Sequence, residues 1–271
     1  MAKTAELFKY EGYEIPMDLV DLTGGGADTW DVISKGHMNQ YEQYTPLKPD
    51  HFFLEVGCGV GRDAMQLAKV LDNGKYVGFD IIKPSIDWCT ANITPKYPHF
   101  TFHYYDVYSQ IHNGGGKLRV SQVKLPASNG EVDRIALHSV FTHMFRDDIQ
   151  HYLHEFRRVL KPGGLVLASF FVLDPESREM AKTSPHPLKF EHPYGDGCWI
   201  NDKDYPEGAI GYTPEVINGM LSRAGLRLVD GIHRGFWSGR EGVTDGQDIL
   251  ILEPDPEWQP ASRWARLFGT N

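Results

Sequence analysis

The chain of 271 residues reads as an α/β protein built on a doubly wound, seven-stranded, mostly parallel sheet. Three observations carry this reading. From Phe52 onward, short apolar runs alternate with segments of helical period. Several of these runs, such as FFLEV and LVLASFFVL, are apolar almost throughout, the pattern of strands covered on both faces. The first run ends on an acid and leads through a glycine loop into a helix, FLEVGCGVGRDAMQL at 52–66. Doubly wound sheets open their ligand sites in this way, at the carboxyl end of a strand.

Taken in order, residues 1–50 are polar and aromatic and are expected to form an N-terminal helical cap. They carry TGGG at 23–26 and then DTWDVISKGHMNQYEQY, where Asp28 or Thr29 caps a short helix that Gly36 interrupts. FFLEV is the first strand and RDAMQLAKVL the first helix of the sheet domain. KYVGFD is the second strand, and KPSIDWCTANI a helix with Pro84 in its first turn. FTFHYYDV is the third strand. The segment 107–131 is less regular, with GGG at 114–116, and KLRVSQVKLP within it reads as a hairpin or an extra strand. VDRIALHSV is the fourth strand, RDDIQHYLHEFRRVL an amphipathic helix, KPGG a turn and LVLASFFVL the fifth strand. Residues 174–211, rich in Pro, Gly, His and aromatics, break the rhythm and are expected to form an inserted substrate lid. TPEVINGMLSRAG restores a helix ended by Gly225. LRLVDGI and QDILILE complete the sheet. The sheet domain is therefore expected over 51–254, with a C-terminal tail at 255–271.

Composition narrows the function classes. The apolar share of 41% and charged share of 23% are those of an ordinary globular protein. No run approaches the roughly 18 apolar residues of a membrane span. The start, MAKTAELFKYEGYEIP, carries no long apolar core of a secretory signal, so a cytoplasmic location is expected. The three cysteines, Cys58, Cys89 and Cys198, form no CxxC pair, which argues against a disulfide framework or structural zinc. With 27 basic against 36 acidic residues, the formal net charge is −9. Phosphate neutralisation by Lys and Arg dominates nucleic-acid binding, so a small-molecule partner is expected instead. A monomer or homodimer is expected.

The loop spells Glu55-x-Gly57-x-Gly59-x-Gly61, with Cys58 between the first two glycines. A dinucleotide fingerprint is spaced G-x-G-x-x-G. The different spacing and the acid ahead of it disfavour a pyrophosphate and suit a ligand with cationic or hydroxyl groups. Asp80 ends the second strand 25 residues after Glu55, where a ribose-binding acid belongs. Asp106 ends the third strand, where a carboxylate accepts a bond from an adenine amino group. Singly, Asp80 and Asp106 also fit helix caps or turn formers. Three acids in this order, with the loop, favour a nucleoside ligand.

At these residues the chain resembles the class I S-adenosylmethionine-dependent methyltransferases. FLEVGCGVGRD, YVGFD, YYDVY and LHEFRRVLKPGGLVL look like that family's landmarks, over about residues 50–172. The resemblance implies a Rossmann-like methyltransferase fold whose last strand is antiparallel, a place that QDILILE suits. It implies that Gly57, Gly59 and Gly61 pack against the methionine part of S-adenosylmethionine and that Glu55 holds the loop or the amino group. Asp80 then binds the ribose hydroxyls, Ile81 lies on adenine, and Asp106 with Val107 reads the adenine edge. Arg62 and Asp63 add polar contacts at the methionine end. RVLKPGG is read as structural, with Pro162 and Gly163 stopping a helix.

Methyl transfer mainly requires that the acceptor be held in near-attack geometry, and a hydroxyl or ammonium acceptor must also lose a proton. His138, at the end of the fourth strand, is expected beneath the sulfonium. His143, five residues on, aligns with a histidine found there in many small-molecule members and is the first candidate base. His37 is a third candidate. No metal is expected. The fourth strand ends on His138-Ser139 rather than on carboxylates suited to hard oxygen ligation, and Asp147-Asp148 fall in the next helix's first turn. There is no Pro-Pro in the chain, so the Asn/Asp-Pro-Pro-aromatic motif of methyltransferases acting on planar nitrogens is missing. Acceptor contacts are expected from Trp30, His37, Tyr41, Tyr44, Trp199 and Trp237, aromatic surfaces with polar tips. His186, His192, Tyr194 and Arg240 lie in the same regions. The resulting expectation is a metal-independent O-methyltransferase of a small molecule. N- or S-methylation, or a cofactor-binding module without transfer, are the alternatives.

Overall fold

In the computed structural model, which describes residues 6–259, the N-terminal segment contains more structure than the sequence suggests. Strands β1 (Leu7–Tyr10) and β2 (Tyr13–Pro16) form an antiparallel hairpin that leads into α1 (Met17–Leu22) and α2 (Gly26–Tyr44). The short helix expected from Asp28 or Thr29 is in fact 19 residues long, begins after the left-handed Gly25 and runs through Gly36 without a break. A glycine inside a helix costs about 1 kcal/mol. Burial of Trp30, Ser34 and Tyr41 along one face offsets it.

The sheet domain follows the expected alternation: β3 (Phe52–Val56), α3 (Arg62–Leu67), β4 (Lys75–Asp80), α4 (Lys83–Asn92), β5 (Phe100–Tyr104), β6 (Val132–Leu137), α5 (Arg146–Val159) and β7 (Leu160–Phe170). Next come α6 (Pro175–Thr183), β8 (His192–Pro193), β9 (Cys198–Ile200) and β10 (Ile210–Tyr212). The chain returns through α7 (Pro214–Ala224), β11 (Leu226–His233) and β12 (Asp248–Pro254). The seven-stranded order is β5-β4-β3-β6-β7-β12-β11, in which β12 runs antiparallel to both neighbours and the other pairings are parallel. This is a mixed Rossmann-like sheet, as the sequence predicts. The winding reverses between β3 and β6, which opens a crevice at the carboxyl ends of those strands.

Apolar layers cover both faces. One packs the sheet against α5 and α7 through Ile149, Leu153, Phe156 and Met220, the other against α2, α3 and α4 through Trp30, Tyr41, Leu67 and Cys89. The insertion after β7 has its own small cluster around Phe171, Phe190 and Trp237 and a three-stranded antiparallel sheet, β10-β9-β8. Among the described residues no helix is long and apolar enough to cross a membrane. Of the tail expected at 255–271, residues 260–271 lie outside the described residues.

Two local expectations are corrected. KLRVSQVKLP is neither a hairpin nor a ladder strand: Leu118 makes one bridge to Val107, and Val120–Gln122 is a 3₁₀ turn. Its buried residues are Val120, Val123 and Leu125, and the first two, three apart, span the 3₁₀ turn. KPGG is not a free turn but an irregularity inside β7, where the register against β6 shifts between Val132 and Arg134.

Candidate functional site

The glycine loop leaves β3 with its backbone pressed against two neighbours. Gly57 and Gly59 have φ of +74° and +52°. A Cβ on Gly57 would lie 2.6 Å from Val140 Cγ2, and one on Gly59 2.8 Å from Thr23 Cγ2. Only glycine satisfies both the dihedral and the space. Asp80, at the end of β4, braces this loop. Its Oδ2 accepts from the Gly59 N–H at 2.7 Å and its Oδ1 from the Ile82 N–H at 2.9 Å. Burial raises the Asp80 pKa. Each oxygen keeps further acceptor capacity, the requirement for taking ribose hydroxyl protons. Glu55 accepts from Tyr76 Oη at 2.5 Å, and burial pushes its carboxyl well above the ordinary range.

A cavity of about 390 Å³ lies over this loop, within the range of small-ligand sites. Of the residues expected to hold the cofactor, Glu55, Gly57, Cys58, Gly59 and Arg62 line it, as do Asp63, Asp80, Ile81, Val107 and His138. Gly61 does not; it precedes α3 as that helix's cap. Asp106 does not either. Its carboxylate accepts from Tyr104 Oη at 2.7 Å and Asn113 Nδ2 at 3.2 Å. Tyr104 stands two residues earlier on the same side of the chain, and Asn113 is carried there by the GGG segment, so local partners claim the acid.

The second half of the site is a polar cluster around Asp63, in the first turn of α3. Helix α2 presents His37, Gln40 and Tyr41 on one face, at the i, i+3, i+4 spacing that brings side chains together. His37 Nδ1 lies 3.0 and 2.8 Å from the two Asp63 oxygens, and Tyr41 Oη donates to Oδ2 at 2.7 Å. The His37 and His138 rings stack with centroids 3.5 Å apart and planes 7° from parallel. Burial works against the Asp63 charge, but the charge and hydrogen bond of His37, with His138 and Arg62 behind it, hold the carboxyl well below its ordinary range. Gln40 Nε2 donates to Asp245 Oδ1 at 2.7 Å, which leaves Gln40 Oε1 facing His138 Nε2 at 2.8 Å. A carbonyl oxygen only accepts, so His138 carries its proton on Nε2. The other nitrogen, Nδ1, faces Tyr41 Oη at 3.4 Å and Asp63. Burial, then His37, lowers the His138 pKa well below the histidine norm and keeps the ring neutral.

His143 sits in a 3₁₀ turn (Phe141–His143) before α5. Its Nδ1 lies 2.8 Å from the Glu207 carbonyl, so Nδ1 is protonated and Nε2 bears the lone pair. Burial lowers its pKa. Glu207, in a turn of the insertion, also takes Ser109 Oγ at 3.2 Å and the Gln110 N–H at 2.8 Å through Oε2. The insertion is thereby fastened across the cavity.

Of the six residues expected against the acceptor, only His37 lines the cavity. Trp30 and Trp237 are fully buried, the latter donating to Asp248 Oδ2 at 2.8 Å. Tyr41 is buried behind the site and acts on Asp63. Tyr44 packs on His233, and Trp199 lies under Arg178. Their aromatic area joins layers of the protein instead of facing the ligand. Tyr194 stacks on Phe145, which does line the cavity, while Arg240 pairs with Glu176.

Sequence reading missed Thr23–Gly25, which cover the loop, with Thr23 Oγ1 accepting from the Val60 N–H at 3.3 Å. It also missed Tyr108, His112, Met144, Asp148 and Glu207 on the cavity wall. TGGG was the one available signal for the first group, and nothing in the sequence distinguishes the second from surface residues.

A doubly wound sheet with its cavity at the switch point, a ribose-competent acid and a glycine loop that touches neighbouring side chains defines a nucleoside-cofactor enzyme fold. Residues 54–168 match the family model described as "Methyltransferase domain". The chain thus carries a methyltransferase domain, consistent with the class I S-adenosylmethionine-dependent family, and S-adenosylmethionine is its cofactor. Among solved structures it is similar to a SAM-dependent methyltransferase from Aquifex aeolicus, at 15% identity and TM-score 0.51, over 88% of this chain and 97% of that one. An S-adenosylmethionine-dependent methyltransferase from Clostridium acetobutylicum matches at 12% identity and TM-score 0.52, over 87% and 95% of the two chains. Human N-acetylserotonin methyltransferase in complex with SAM matches at 16% and 0.55, over 87% of this chain and 55% of that one. This chain thus spans little more than half the length of some neighbours, and 59% of a [4+2]-cyclase, SpnF. At these identities the likeness is one of fold. The residues present fit the cofactor: the side-chain-free loop backbone, the free acceptor capacity of Asp80 and the adjoining acids suit a ligand with hydroxyls and cationic groups.

Proposed function

We propose that this chain transfers the methyl group of S-adenosylmethionine to a hydroxyl of a small molecule, without a metal ion, with His143 as the base. When bound, the cofactor supplies an electrophilic methyl on a sulfonium. Gly57, Gly59 and Asp80 would hold it, with Ile81 and Val107 available to its adenine and Arg62 and Asp63 to its methionine end. The insertion, fastened through Glu207, excludes water. The observation that carries the assignment is the state of His143: Nδ1–H is committed to a carbonyl, Nε2 is open on the cavity side, and burial favours the neutral ring. A neutral imidazole accepts a hydroxyl proton at physiological pH. His138 is a weaker candidate because both its nitrogens already face partners.

His37, Asp63 and His138 bring one potential ligand atom each within 4.8 Å of one another, but ring geometry speaks against one ion bound by all three. An ion about 2.0–2.1 Å from an imidazole nitrogen lies close to that ring's plane. The stacked His37 and His138 planes are nearly parallel, so one ion does not lie in both. The test is transfer from methyl-labelled S-adenosylmethionine into a size-fractionated extract, run with wild type and His143→Ala. Label in the small-molecule fraction, as an alkali-stable methyl ether, and lost by about 10²–10⁴-fold in the variant is expected. Label on nitrogen, sulfur or macromolecules, or full turnover by His143→Ala, refutes the reading.

A further inference from the structure

We propose that His37 is a second catalytic residue, an imidazolium that donates from Nε2 to the acceptor oxygen while that oxygen gives its proton to His143, and that Asp63 is the positioning residue that holds it in this role. The inference rests on the reading above and deepens it, because it selects the acceptor atom.

Of the four histidines on the cavity wall, two stand in opposite settings. His143 has a neutral carbonyl on Nδ1 and is buried, a setting that favours the uncharged ring. His37 has both oxygens of a buried carboxylate on Nδ1. When the environments of two titratable groups diverge in this way, the divergence assigns the acid and base roles. A buried carboxylate needs a counter-charge. Arg62 contributes at ion-pair distance, its Nε 3.9 Å from Asp63 Oδ1, but its Nη1 bonds the Gly24 carbonyl at 2.9 Å. His37 is the group able to carry charge that hydrogen-bonds the carboxylate directly. The groups facing His37 are Asp63 and Arg62 on α3, Tyr41 on its own helix, and His138 just beyond β6. Tyr41 Oη is spent on Asp63, and its pKa, raised by burial and by Asp63, keeps it neutral. His138 is neutral with its proton turned toward Gln40, so of the two stacked rings His37 is the one placed against Asp63 to carry the proposed charge.

With Nδ1 committed to Asp63, the nitrogen His37 offers the cavity is Nε2. A donor there stabilises negative charge as it develops on an oxygen losing its proton. The same donor opposes an amine acceptor, which becomes more positive as it is methylated. Hydroxyl acceptors are selected over amines for this reason.

The test is side-chain ¹⁵N NMR of the histidine-labelled protein bound to S-adenosylhomocysteine at pH 7, assigned through His37→Gln and His143→Gln. Expected are two protonated nitrogens on His37 and one on His143. Loss of the His37 double protonation is expected in Asp63→Asn, with recovery in Asp63→Glu and the His143 signals unmoved. A singly protonated His37 in the wild type overturns the proposal without recourse to any variant. So does an Asp63→Asn spectrum identical to the wild type. Because the readout needs no acceptor, failure of the transfer assay and failure of this assignment are separate results.

Discussion

Replacement of Gly59 by alanine probes how the N-terminal segment and the cofactor loop were fitted to each other. The new Cβ would stand 2.8 Å from Thr23 Cγ2, 3.0 Å from its Oγ1 and 3.3 Å from its Cβ, on a backbone at φ +52°. Left-handed backbone costs a non-glycine residue about 1–2 kcal/mol. Overpacking against Thr23 adds about 1–3 kcal/mol. Thr23 has little freedom to retreat, because its Oγ1 donates to the Leu19 carbonyl at 2.9 Å and accepts from the Val60 N–H. Gly59→Ala should therefore lose about 2–5 kcal/mol of unfolding free energy. Thr23→Ala alone should lose about 0.5–1.5 kcal/mol for its hydrogen bonds. In the double variant the clash is gone and the dihedral strain remains, so the two effects should couple by about 1–3 kcal/mol. Urea unfolding of the four proteins at constant m-value measures this directly. A coupling within about 0.5 kcal/mol of zero would refute the contact between cap and loop. Wild-type stability of Gly59→Ala would refute the strained dihedral too.

Other outcomes follow from the same geometry. Asp80→Ala leaves the Gly59 and Ile82 N–H groups unpaired and removes the ribose acceptor, so S-adenosylhomocysteine affinity by calorimetry should fall at least about tenfold, or about 1.4 kcal/mol; unchanged affinity would sink the ribose assignment. His143→Ala should slow transfer as stated above while cofactor affinity stays within about twofold of wild type, a range below 0.5 kcal/mol; a large loss of affinity would make it a packing residue. Burial depresses the pKa of both His138 and His143 below the unfolded value of 6.5. Their contribution to stability is thus complete above about pH 6.5 and is lost as pH falls toward the lowered values, since the unfolded chain binds protons the folded one refuses. The variant His138→Gln, which still offers a donor to Gln40, should flatten that acid-side slope, and an unaltered slope would contradict the neutral His138 ring. Trp237→Phe removes a donor from Asp248, whose pKa burial already raises; it should cost about 1–3 kcal/mol in unfolding and leave S-adenosylhomocysteine affinity unchanged. A selective loss of acceptor binding would restore Trp237 to the cavity wall.

The sheet was legible because its signal is local. FFLEV, KYVGFD and VDRIAL are strands over nearly the spans their apolar runs mark, and the loop acids and glycines fall at strand ends by counting alone. The N-terminal segment was legible only in part. TGGG marked a backbone irregularity, but the length of α2 depended on Trp30 and Tyr41 finding a face of the sheet to cover, which overrode the break expected at Gly36. The aromatic wall was misread for a related reason. Trp30, Tyr44, Trp199 and Trp237 carry the chemistry of a ligand surface, yet large aromatic side chains serve equally to join layers, and composition does not separate the two uses.

By itself, then, the sequence determined the order of strands and helices, the glycine loop, Asp80 at its strand end and the class of cofactor. These follow from periodicity and from the few residue types able to adopt positive φ or to accept hydroxyl protons. Only the tertiary structure decided that Asp106 turns to Tyr104 and Asn113, that Glu207 fixes the tautomer of His143, and that Asp63 gathers His37, Tyr41 and His138. Each of these rests on a hydrogen bond or ring contact between residues whose relative placement no local pattern encodes, and a histidine's chemistry is set by the partner on its other nitrogen.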